Sequence, residues 1–160
     1  MLGRYKRKFS ISVAEGRKKS FRQFYNDRFF DVTRPQIEVT LVSMSGSKYI
    51  LDQLYSICSF FKNVGKPKKW IVFSDGSYTE EETSLLSKIP FVEVRTIETD
   101  KYDIEKKYFE RYPLLKKLVA YAQLDINSTT VLTDSDILFF PAYKNYEKVL
   151  YSLHLYYKIF

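Results

Sequence analysis

Asp134 and Asp136 are the pair of side chains in this chain best placed to do chemistry. They sit in Thr130-Val-Leu-Thr-Asp-Ser-Asp-Ile-Leu-Phe-Phe140, between two apolar runs. In an extended chain, carboxylates at i and i+2 point to one side, with about 6 to 7 Å between their Cα atoms. Two like charges so placed beside an apolar strand are costly unless a cation lies between them. Hard divalent cations take carboxylate oxygen, and Mg²⁺ commonly keeps one or two carboxylates and fills its shell with water and phosphate. The spacing therefore predicts a metal platform for a diphosphate. The plainer reading makes Asp134 a turn residue at a strand end and Asp136 a helix cap.

Such a platform needs a scaffold, and the pattern before it is strand–helix alternation. Ile37 to Met44 reads as a first strand and Ser45-Gly46-Ser47 as a turn. Lys48 to Lys62 reads as an amphipathic helix with Ile50, Leu51, Leu54, Ile57, Cys58 and Phe61 on one face. Val64-Gly65-Lys66-Pro67 stops it. Trp70 to Phe73 is a short apolar strand ending at Ser74-Asp75-Gly76-Ser77. Thr79 and Glu82 form a capping box for a helix to about residue 88. Phe91 to Arg95 is a third strand, and residues 97–110 read as a polar loop with one helical turn. Pro113 opens a helix to about residue 125 with Leu114, Leu115, Leu118, Val119 and Ala122 on one stripe, and 130–133 is the fourth strand.

Short, fully apolar strands separated by helices predict an α/β fold, a mostly parallel Rossmann-like sheet with helices on both faces. Ligands of such sheets bind beyond the carboxyl ends of the strands. That rule gathers Ser43 to Ser47, Asp75-Gly76, Arg95-Thr96, Asp134 and Asp136 at one edge.

Composition supports a real core, since 45% of the 160 residues are hydrophobic and 18% aromatic, and it argues against disorder throughout. The single cysteine, Cys58, excludes an internal disulfide or a cysteine-rich zinc site and reads as core in a reducing compartment. Residues 1–28 carry nine basic side chains against Glu15 and Asp27, which accounts for the whole net charge of +7. The division is therefore a basic arm over 1–35 and a neutral body over 36–160. With Phe9, Phe21, Phe24 and Tyr25 interleaved, the arm suits an anionic membrane surface better than nucleic acid, or else simply packs on the body. Neither a transmembrane run nor a secretory h-region is evident. The expected location is cytoplasmic, peripheral at the membrane where the arm engages it.

The motifs taken in order resemble the nucleotide-sugar glycosyltransferases of the GT-A fold. The residues that carry this are Val39-Thr-Leu-Val-Ser-Met-Ser-Gly46, Trp70-Ile-Val-Phe-Ser-Asp-Gly76, Arg111-Tyr-Pro-Leu-Leu-Lys-Lys-Leu118 and Val131-Leu-Thr-Asp-Ser-Asp-Ile-Leu-Phe139, spanning about residues 37–142. The resemblance implies that Asp134 and Asp136 hold Mn²⁺ or Mg²⁺ against the donor diphosphate. It implies that Ser43, Gly46 and Asp75 contact the nucleoside, and that Lys117 reaches the diphosphate. The family's domain continues well past its Asp-x-Asp motif, whereas this chain runs 24 residues beyond Asp136. The resemblance is thus to the donor-binding half, and the fold is expected to be an incomplete GT-A type. Glu147 is the one carboxylate side chain after Phe140, and His154, the sole histidine, reads as a packing residue. A sheet cut short would expose an edge, which predicts a homo-oligomer or an aggregating fragment with Tyr143, Tyr146, Leu150 and Leu153 in the contact. The alternative function is a nucleotide-sugar-binding remnant or partner-binding domain without turnover. A haloacid-dehalogenase-type phosphatase fits poorly, because Ile137-Leu138 follow the motif and the motif comes late in the chain.

Overall fold

A computed structural model describes residues 27–98, 106–126 and 128–140. The chain divides into two compact units, Met1–Thr33 and Arg34–Phe160. Within the first, Asp27–Phe30 is a 3-10 turn in which the Phe29 and Phe30 rings meet edge-on at 5.1 Å. Residues 1–26 of the basic arm lie outside the described residues, as do Tyr143, Tyr146, Glu147, Leu150, Leu153 and His154.

The second unit is an α/β domain built on four parallel strands: β1 (Gln36–Ser45), β2 (Lys66–Ser74), β3 (Val92–Thr96) and β4 (Thr130–Leu132). Their order in the sheet is β3-β2-β1-β4. Helix α1 (Ile50–Asn63) follows β1, α2 (Glu80–Ser87) follows β2, and α3 (Lys106–Arg111) and α4 (Pro113–Ala122) lie between β3 and β4. The central strands are buried on both faces, as a parallel sheet covered on both sides requires. On one face Leu41, Ser43, Trp70 and Val72 lie under α1, where Phe60 meets the Trp70 ring edge-on at 5.8 Å. On the other, Val42, Ile71 and Phe73 pack with Ala120 of α4. Among the described residues, no helix is long and apolar enough to cross a membrane.

Several expectations shift. β2 begins at Lys66 instead of Trp70, because Pro67 is accommodated where β1 is the only neighbour and the β1 register slips between Ile37 and Thr40. Gly65 turns the chain into it with φ +148, and a Cβ there would stand 2.6 Å from the Pro35 carbonyl oxygen. Helix α4 stops at Ala122, where the ladder tightens to i→i+3 bonds from the Gln123 N–H to the Ala120 carbonyl at 3.3 Å and from the Leu124 N–H to the Tyr121 carbonyl at 3.2 Å, and the Gln123 side chain binds the Glu98 backbone, donating to its carbonyl at 2.8 Å and accepting from its N–H at 3.2 Å. Its buried face is Val119 and Ala120, whereas Leu114 and Leu118 point outward. The apolar run after Asp136 is not a buried continuation of β4. Ile137, Leu138 and Phe140 are exposed, and only Phe139 turns in, meeting Phe60 at 5.0 Å and Trp70 at 6.3 Å.

Candidate functional site

The chain winds from β1 outward through β2 and β3, then crosses back to place β4 on the other side of β1. The reversal point lies between β1 and β4, and in open parallel sheets ligands bind there, outside the carboxyl ends. The segments at that edge are Gly46-Ser47 after β1, Asp75 to Tyr78 after β2, and Thr133 to Asp136 after β4.

The β1 and β2 ends are tied tightly. A Cβ on Gly46 would fall on the Asp75 carboxylate, so a larger residue there would require that side chain to move. The Asp75 N–H donates to the Ser45 carbonyl at 2.9 Å. Asp75 Oδ1 accepts from the Ser77 N–H at 2.9 Å and its hydroxyl at 2.6 Å, a local turn of the kind aspartate favours. The Ser47 N–H donates to Ser77 Oγ at 2.9 Å, and the Ser47 hydroxyl sits between the Ser77 carbonyl and Glu82 Oε2. Glu82 also accepts from the Thr79 N–H while Thr79 Oγ1 accepts from the Glu82 N–H, the capping box the sequence predicts.

Beneath this lattice two buried hydroxyls, Ser45 Oγ and Tyr78 OH, have no hydrogen-bond partner. Burial pushes the Tyr78 phenol up to about 12, and the Asp75 and Glu82 charges add to the rise, while Ser45 opposes it.

The β4 end is built differently. Asp134 has its side chain 61% exposed, and the Lys117 ammonium of α4, 25% exposed, pairs with its Oδ1. Burial alone would lower the Lys117 pKa, but the bond to Asp134 and the adjoining Tyr121 and Asp134 charges outweigh it and the net shift is upward. The same ammonium stands over the Tyr121 ring, 5.9 Å from its centroid. The neighbouring Lys116 donates to the Asp75 carbonyl at 3.3 Å. Two successive lysines of α4 thus serve two strand ends. Asp136 is exposed, and Ser135 and Asp136 form a turn. The extended i, i+2 geometry expected of the two aspartates is therefore replaced by a turn, because β4 ends at Leu132 before the motif begins.

Of the predicted site residues, Gly46 and Asp75 are in contact, and Lys117 and Asp134 are paired. Ser43 does not line the site. It is fully buried, donates to Gln53 Oε1 at 2.8 Å and accepts from Trp70 Nε1 at 3.0 Å, so its hydroxyl belongs to the core. Ser45 falls within the Ser43 to Ser47 segment that the sequence places at this edge, whereas Tyr78, Lys116 and Tyr121 are marked in the sequence only by their adjacency to predicted residues.

The donor set offered to a cation is two aspartates, and no group of three or more His, Cys, Asp or Glu side chains converges among the described residues. That set does not make an all-protein cage. A hard divalent ion held by these two aspartates would have to complete its shell with water or phosphate, and Asp134 already carries a cation, the Lys117 ammonium. No protein-family model matches the chain, and no curated protein matches it in sequence.

Proposed function

We propose that this domain binds a nucleoside-diphosphate sugar at the β1/β4 edge, as the donor-binding part of a glycosyltransferase of the GT-A type. The observation that carries the reading is the strand order. It brings the Lys117–Asp134 pair to the carboxyl edge where winding reverses, next to the Gly46–Asp75 contact at the adjoining β1 and β2 ends. Asp75 and the Gly46 backbone would meet the nucleoside, with the unpaired Ser45 and Tyr78 hydroxyls close behind. Lys117 would meet the diphosphate, and Asp134 and Asp136 would hold Mn²⁺ or Mg²⁺. A bound divalent ion offsets charge gathering on the departing diphosphate. The basic stretch 1–28 would keep the domain at an anionic cytoplasmic membrane surface.

Thermal unfolding with each common nucleoside diphosphate, with and without Mn²⁺, tests the binding step. A metal-dependent rise for at least one of them, lost in Asp136→Ala, is the expected result. A rise indifferent to Mn²⁺ in both forms would remove the metal from the reading. Hydrolysis of the corresponding sugar donor then separates an enzyme from a binder without turnover.

A further inference from the structure

Asp134 is the exposed aspartate of the motif that already has a cation on it, and that cation is a lysine. We infer that Lys117 is a resident counter-cation that holds Asp134 while the site is free of diphosphate, and that its departure to the diphosphate couples nucleotide binding to metal binding. The inference rests on the function proposed above and adds an order to it.

Three features of the pair carry the argument. First, Lys117 sits on an Asp134 oxygen, a position a divalent ion would also need, so the two cations compete. Second, a lysine ammonium offers only donors on a flexible four-carbon stem, so it can change partners without unfolding the helix that carries it. An arriving diphosphate has more negative charge than one carboxylate and lies within the same crevice under the proposed binding mode. Third, the neighbour that could substitute is committed, because Lys116 donates to the Asp75 carbonyl on the β2 side. Lys117 alone among the described lysines pairs with an aspartate of the motif.

The consequence is a coupling between two ligands through one side chain. In the free chain the lysine discounts the metal affinity of Asp134. Once it turns to the diphosphate, Asp134 is released and the metal binds more tightly. Linkage makes the effect reciprocal, so metal must improve diphosphate affinity by the same factor.

The test is calorimetric titration of the full chain with Mn²⁺ alone, then with Mn²⁺ in the presence of the nucleoside diphosphate that stabilises it best. It is run on the native chain, Lys117→Met and Lys117→Arg. Lys117→Met should bind Mn²⁺ alone about two- to fivefold more tightly than the native chain, the size expected of an exposed ion pair. It should also lose most of the diphosphate-induced gain. Lys117→Arg keeps the charge and should behave like the native chain, which guards against a general effect of altering α4. If the native chain binds both ligands and Lys117→Met binds Mn²⁺ equally or more weakly, the lysine does not compete and the inference fails alone. If no form binds Mn²⁺ or any nucleoside diphosphate, the functional reading fails and the coupling with it.

Discussion

The two sides of the candidate site are held by opposite means. At the β1 and β2 ends, short side chains and backbone groups interlock: Gly46 against Asp75, Ser47 against Ser77 and Glu82, Thr79 against Glu82. At the β4 end, one long lysine reaches one exposed aspartate. Short groups lose little freedom when fixed, so the first side can be rigid at small entropic cost. The second side keeps its charge near solvent, where an ion pair contributes little to stability and can be exchanged. A tightly hydrogen-bonded edge and an exchangeable charge flank the end of β1.

The contrast predicts unequal responses. The largest involves Tyr78. Its folded pKa lies above the unfolded value of about 10 and near 12, so between those pH values the folded state retains a proton the unfolded state has lost. Its contribution is complete below pH 10 and drains away as pH rises to 12, by at most about 3 kcal/mol. Buried Cys58 adds a similar loss from about pH 9, so the comparison must be native against Tyr78→Phe. Denaturant unfolding from pH 8 to 12 should show a shallower decline in Tyr78→Phe, and parallel declines would contradict the assignment.

Next is Gly46→Ala. Its methyl must displace the Asp75 carboxylate and with it the bonds to Ser77, at a cost of about 1 kcal/mol. It should also weaken nucleotide binding on the β1 side. Wild-type midpoints in urea would show that the loops have slack. Thr79→Ala removes the capping hydroxyl from α2 and should cost about 1 kcal/mol. Unfolding in urea reads this directly, and no loss would mean the cap is dispensable.

The smallest stability effect should come from Asp136→Ala at the β4 end. Asp136 is exposed, so the midpoint should move by less than about 0.5 kcal/mol while metal-dependent nucleotide binding disappears. A large stability loss there would erase the contrast between the two sides.

Much of the fold could be read from periodicity, because the apolar strands and capped helices each obey one strong local rule. The Thr79–Glu82 box and the parallel order of strands are of that kind. What escaped reading depended on contacts distant in the chain. Gln53 sits fully buried on α1 among apolar residues because Ser43 reaches it, and no local pattern marks a glutamine for the interior. The start of β2 was hidden by Lys66-Pro67-Lys68-Lys69, a polar stretch that becomes strand only through its pairing with β1. Two stripes compete on α4, and only the sheet decides that Val119 and Ala120 face inward while Leu114 and Leu118 do not. The site was legible as types of residue, yet the turn at Asp134 to Asp136 and the commitment of Ser43 to the core were not.

Trp70 is the only tryptophan in the chain, and its indole N–H is bonded to Ser43. Its ring also lies edge-on to Phe139, three positions past Asp136. Phe139 is further anchored to α1, its N–H donating to Ser59 Oγ at 3.0 Å and its carbonyl accepting from Asn63 at 2.6 Å. A shift of the aspartate turn would therefore be transmitted to the environment of one indole. The protein carries its own optical reporter, whose emission can follow any movement of the aspartate turn without an added label.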